Sequence, residues 1–165
     1  MFKVTPDPTN CVQFKDDTYV KESFDAVVNV SDSPCKTFDY IKLGIPSFWY
    51  PIHEVWIWGY APFFGTAKVL DEFYKTKPIL LHCHAGVNRS ANVAYAVLKA
   101  EGYNNKEIQE RSGIDANFTE NLFNRNISRK YVPHDIIEFL QARKQYPTYS
   151  LMGLLGKMGS SNMYL

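Results

Sequence analysis

The segment from Pro78 to Gly102 constrains this chain more than any other. Pro78-Ile79-Leu80-Leu81 is a short, wholly apolar run, the pattern of a strand covered on both faces. Ser90 opens an Ala-rich stretch that reaches Ala100 and is closed by Gly102, which predicts a helix. The junction reads His82-Cys83-His84-Ala85-Gly86-Val87-Asn88-Arg89-Ser90. A loop that leaves the C-terminal end of a strand and enters a helix aims several backbone N–H groups into one concavity. The helix dipole adds partial positive charge there. Such a nest suits a tetrahedral dianion, and the same field favours a cysteine thiolate.

Each residue type in the junction has a use in that setting. Cys83 is the candidate nucleophile. Arg89 can return its guanidinium fork and hold two anion oxygens at once. Gly86 lets the loop bend without placing a side chain in the anion's space. Ser90 can hydrogen-bond the cysteine sulfur, and His82 can orient the loop through its ring nitrogens. The backbone of His84, Ala85, Gly86, Val87 and Asn88, together with Arg89, forms the candidate anion-binding surface. A lone cysteine is usually a small buried hydrophobe, but a His, Cys, Gly, Arg and Ser set at fixed spacing is more than that. A metal reading of the loop fails: 82 and 84 would face away from 83, and no Cys-x-x-Cys or His-x-x-x-His pair completes a site. No metal and no cofactor is expected.

At these residues the chain resembles the cysteine-dependent protein phosphatases, whose loop reads His-Cys-x-x-Gly-x-x-Arg-Ser/Thr, and most closely their small dual-specificity branch. Val27-Val28-Asn29-Val30-Ser31 looks like that family's early strand, and 127–140 like its last helix. The resemblance spans roughly 20–144. It implies an α/β fold with a central mixed sheet of about four to five strands flanked by helices. It also implies a two-step hydrolysis of phosphomonoesters on protein Tyr and Ser/Thr through a phosphocysteine, with a phosphoprotein as partner. No motif for a phosphotyrosine-recognition loop is present, so a shallow cleft is expected.

The family takes its leaving-group proton from an Asp about thirty residues before the cysteine, in a Pro-Ile-x-Asp setting followed by an aromatic pair. Here Pro51-Ile52-His53-Glu54, followed by Phe63-Phe64, fits that frame and puts Glu54 twenty-nine residues ahead of Cys83. No Asp lies between Asp39 and Asp71. Glu54 is the candidate acid and His53 the second, and the third possibility is that no dedicated acid exists. Two alternatives to a protein phosphatase stay open. One is an RNA 5′-triphosphatase of the same fold, which carries Asn before the loop Arg as Asn88 does here. The other is a phosphate-binding module with impaired turnover.

The rest of the chain bounds these readings. Its 165 residues are about one domain long. We expect one phosphatase-like domain over 1–147, led by an arm or edge structure over 1–18, and a tail over 148–165. Eighteen Lys plus Arg against seventeen Asp plus Glu argue against a broad basic face for nucleic acid or anionic lipid, so neither is an expected stable partner. Three cysteines do not make a disulfide scaffold, and with no apolar leader or spanning run the expected location is cytoplasmic. Cys35 is either a resolving thiol for Cys83 or an unrelated one; Cys11 has no readable role, and His134 reads as a surface residue. Leu151, Leu154, Leu155 and Met158 follow helical spacing and suggest docking or self-association through the tail.

Local patterning predicts strands over 24–30 and 40–45, and helices over 65–74, 105–112, 115–123 and 133–144. Eight of the chain's 25 aromatics fall within 48–64, which carries Pro51, Gly59 and Pro62 and so is not one regular element. That stretch holds Glu54, and some of its rings are expected to line the mouth of the cleft.

Overall fold

The computed structural model describes residues 1–11 and 14–144. Four strands form one sheet: β1 (Phe2–Thr5), β2 (Ala26–Asn29), β3 (Ser47–Trp49) and β4 (Ile79–His82), in the order β1-β4-β2-β3. Every pairing is parallel, so the sheet expected to be mixed is not. The α/β class stands. β4 lies between β1 and β2, and its alternation divides the core. Ile79 and Leu81 join the larger apolar cluster, while Leu80 faces the smaller one with Val27, Tyr40, Phe14 and Val20. Both faces are thus covered, as a wholly apolar strand requires. β1 places the chain's first residues at the sheet edge.

Seven helices flank the sheet: α1 (Asp17–Ser23), α2 (Thr37–Lys42), α3 (Ala61–Phe73), α4 (Arg89–Ala100), α5 (Asn105–Ser112), α6 (Ala116–Ser128) and α7 (Ile136–Ala142). Every residue of α4 except Lys99 is buried. Its small alanines let α3, α6 and α7 pack closely around it, and that enclosure holds its N-terminus still beneath the junction.

Three further expectations are corrected. The strand over 40–45 is the end of α2 and its exit turn, and the real strand starts at Ser47. The apolar residues there fit either period. Tertiary packing decides, burying Tyr40 and leaving Phe38, Ile41 and Leu43 exposed. The helix expected over 65–74 is α3, which starts earlier, at Ala61, with Pro62 in its first turn, so Thr66 is an interior buried residue. Gly65 sits where a Cβ would meet the ring of Tyr50 at 2.5 Å, so it serves helix packing. Residues 127–140 are not one helix: α6 runs on to Ser128 and α7 begins only at Ile136. The expected tail, 148–165, lies outside the described residues. Among those described, no helix is long and apolar enough to cross a membrane.

Candidate active site

All four strands run the same way, so the loops after β1, β2, β3 and β4 meet at one edge, where open α/β sheets bind ligands. Cys83 is the first residue after β4 and is buried. Its Sγ lies 3.2 Å from the Gly86 backbone N–H, which donates to it, and 3.1 Å from the Ser90 hydroxyl. These two contacts hold the buried sulfur in place at the floor of the loop. Gly86 has φ +73°, and a Cβ there would come within 2.6 Å of the Pro6 nitrogen. Its glycine is therefore required by both the left-handed backbone and the close approach of the chain after β1.

His82 is buried at the end of β4 and its Nδ1 is 3.3 Å from the Cys83 carbonyl oxygen. Burial pushes its imidazole down to about 4, so it is neutral at pH 7 and orients the loop without contributing charge. Arg89 opens α4, its side chain buried, and Nη1 donates to the Ile52 carbonyl at 2.9 Å and to Asp32 Oδ1 at 3.3 Å. The guanidinium is thereby held across the loop after β3 and the loop after β2. His84, Ala85 and Val87 are exposed around the concavity, and Gly86 and Asn88 are half-buried.

Asn88 forms the link to the second loop. Its amide donates to Glu54 Oε1 at 3.1 Å, and its Oδ1 accepts from Asn92 at 3.1 Å and Asn126 at 3.2 Å. Glu54 is exposed, but its carbonyl accepts the indole N–H of Trp58 at 3.2 Å, and buried Trp58 bonds the Tyr131 carbonyl at 2.8 Å. So the carboxylate singled out from spacing does reach the junction. His53 is exposed and lies 3.7 Å from Asp32. The aromatics of this stretch divide: Trp58, Tyr60, Phe63 and Phe64 are core, while Trp56 is exposed at 68%, flanked by exposed Val55 and Ile57.

Asp32 was not anticipated. It accepts from Arg89 and lies 3.0 Å from His84 Nε2. Burial works against its charge, but the bonds from His84, its own backbone and Arg89 outweigh it and hold the carboxyl below its usual range. Asn29 builds the turn that presents it, accepting from Ser31 N–H at 2.8 Å and donating to the Ser33 carbonyl at 2.7 Å. Trp49 adds an indole bond to the Ser31 carbonyl at 2.9 Å. In the sequence, Ser31-Asp32-Ser33-Pro34 reads as a plain turn. The usable signal was its position just past a strand parallel to the one that carries Cys83. Cys35, the other candidate of this loop, lies beside Ser31 Oγ at 3.5 Å.

No protein-family model matches the sequence, and no curated protein matches it significantly. Solved structures do match in fold. The active form of Tk-PTP superimposes with a TM-score of 0.50 at 20% identity, covering 75% of this chain and 90% of that one. A mutant form of Tk-PTP gives 0.51 at 21% identity, covering 78% and 84%. The core catalytic domain of the PP-IP phosphatase SIW14 from S. cerevisiae, in complex with citrate, gives 0.50 at 13% identity over 90% and 85%. The chain has the fold of these phosphatases, the fold its junction sequence implied.

Proposed function

We propose that the chain is a phosphatase that hydrolyses phosphomonoesters on protein Tyr and Ser/Thr through a phosphocysteine at Cys83. The observation that carries this reading is a buried Cys83 sulfur hydrogen-bonded at 3.2 Å by the Gly86 N–H and 3.1 Å from the Ser90 hydroxyl, in the loop whose Arg89 opens the following helix. In the first step the Cys83 thiolate attacks phosphorus in line, and the S–P bond forms as the ester P–O bond breaks. Arg89 and the loop N–H groups hold the equatorial oxygens, and Arg89 exchanges its Asp32 contact for the phosphate. Glu54, entering protonated and positioned by Asn88, gives its proton to the leaving oxygen. In the second step ionised Glu54 takes a proton from water as water attacks phosphorus. Phosphate leaves, and the Ser90 hydroxyl donates to the departing thiolate.

The test is hydrolysis of a phosphotyrosine peptide, a phosphoserine peptide and a triphosphate-ended RNA by the wild-type chain and Cys83→Ser. Turnover of the peptides, falling at least ~10⁴-fold in Cys83→Ser, is expected. Hydrolysis of the RNA alone would move the substrate class to triphosphate ends. Activity that survives Cys83→Ser would overturn the cysteine mechanism.

A further inference from the structure

We propose that Asp7, Cys35 and His84 form a binding site for one divalent transition ion of the Zn²⁺ class on the flank of the phosphate loop. A carboxylate oxygen, a sulfur and an imidazole nitrogen from these residues all lie within 4.8 Å of one another. They belong to three separate loops: Asp7 follows β1, Cys35 follows β2 and His84 follows β4. Those strands are neighbours in the order β1-β4-β2, so the sheet itself brings the three donors together. No spacing motif announces the site, because its members are scattered along the chain.

One further observation points to a cation. Asp7 is buried, and among the described residues none of the ion pairs involves it. Its Oδ1 accepts from the Thr9 N–H at 2.9 Å, a neutral donor. A buried carboxylate without a cationic partner is costly, and a bound divalent ion would supply one. Cys35 is held at φ +48°, a left-handed backbone that few residues without a short polar side chain adopt. That conformation keeps its sulfur in the cluster. The backbone closes the arrangement from the other side, as Asp7 N–H donates to the His84 carbonyl at 2.9 Å.

Cysteine ligates as the thiolate, so the ion must displace the Cys35 proton. The balanced step is Cys35–SH plus M²⁺ giving Cys35–S–M⁺ plus H⁺, and Asp7 then neutralises the remaining charge. One thiolate, one imidazole and one carboxylate select Zn²⁺ or Co²⁺ over Mg²⁺ or Ca²⁺. Three protein ligands leave a fourth position for water on the exposed His84 side. With the ion on Nδ1, Nε2–H stays on Asp32, the usual outer partner of a ligating histidine. Asp32 also bonds Arg89, so the ion is linked to the phosphate-binding guanidinium through one carboxylate.

Co²⁺ titration of the full chain carrying Cys83→Ser tests this without any need for turnover. The expected result is a chelator-reversible near-ultraviolet thiolate-to-cobalt band saturating at one ion per chain. Adding Cys35→Ser should abolish the band, and adding Asp7→Asn should weaken Co²⁺ affinity by roughly 10-fold or more. Zn²⁺ at 100-fold excess over its Kd should raise the Tm of the Cys83→Ser chain by roughly 5–10 °C and leave the Cys35→Ser double variant unmoved. No band in the Cys83→Ser chain overturns the proposal. So does a band that persists without Cys35, which would place the ion elsewhere. Absence of peptide hydrolysis by the wild-type chain, with the band intact in the Cys83→Ser chain, would count against the phosphatase reading alone.

Discussion

The two loops that build the site are held by different means. The phosphate loop is tied from every side. Its sulfur takes two hydrogen bonds, its glycine is wedged against the chain after β1, and its helix is buried almost throughout. The loop after β3 presents Glu54 from outside, with Val55, Trp56 and Ile57 largely exposed beside it. It is tied to the rest by Trp58 below and by the bond between Glu54 and Asn88. Attack needs a nucleophile fixed to a fraction of an ångström, whereas proton delivery must adapt to leaving groups of different size. The two loops differ in the way the proposed mechanism would require.

The first way to break the comparison is Arg89→Lys. It keeps the charge but loses the planar fork, and kcat/KM for an aryl phosphate should fall by about 10²–10³. A loss under tenfold would mean the guanidinium geometry is dispensable. The second probes the rigid loop through stability. His82 is neutral in the fold down to about 4, whereas an unfolded histidine titrates near 6.5. Protonation therefore favours unfolding, and stability should decline by about 3 kcal/mol as pH falls from 6.5 towards 4. Urea unfolding at several pH values reads this, and in His82→Asn the decline over that interval should shrink.

The third turns to the outer loop. Glu54→Gln should slow turnover of an alkyl phosphate by about 10²-fold while leaving an aryl phosphate with a good leaving group nearly unchanged. Equal effects on both substrates would remove Glu54 from proton transfer. The smallest effect concerns Asp32, which competes with phosphate for Arg89 through a partly exposed pair. Asp32→Asn should tighten inhibition by inorganic phosphate about 2–5-fold at neutral pH. Because Asp32 is held low, that advantage should shrink only below the ordinary carboxylate range.

Legibility followed the range of the forces involved. Helix α5 was read to its last residue because its signals are local: the Asn104–Glu107 capping box at one end and left-handed Gly113 at the other. β4 and the start of α4 were equally plain, since an apolar run and an Ala-rich helix each carry their own pattern. The segment over 40–45 was misread because its short apolar run fits both periods, and only the burial of Tyr40 resolves it. The start of α3 was placed four residues too late because Pro62, in the aromatic stretch, opens the helix. Glu54 was found from the acid frame that the family resemblance implies, but its partner Asn88 could not be read from that frame. Asp32 was overlooked because nothing within its turn distinguishes it.

By itself the sequence determined the reactive loop. A strand, nine residues and a helix set the backbone N–H groups, the thiol and the guanidinium within one short segment, so little long-range information was needed. The tertiary structure alone decided which carboxylates face that loop. Asp32 meets Arg89, and Asp7 meets Cys35 and His84, because β1, β4 and β2 lie side by side and all end at the same edge. Strand order depends on packing between distant segments, and no local pattern records it.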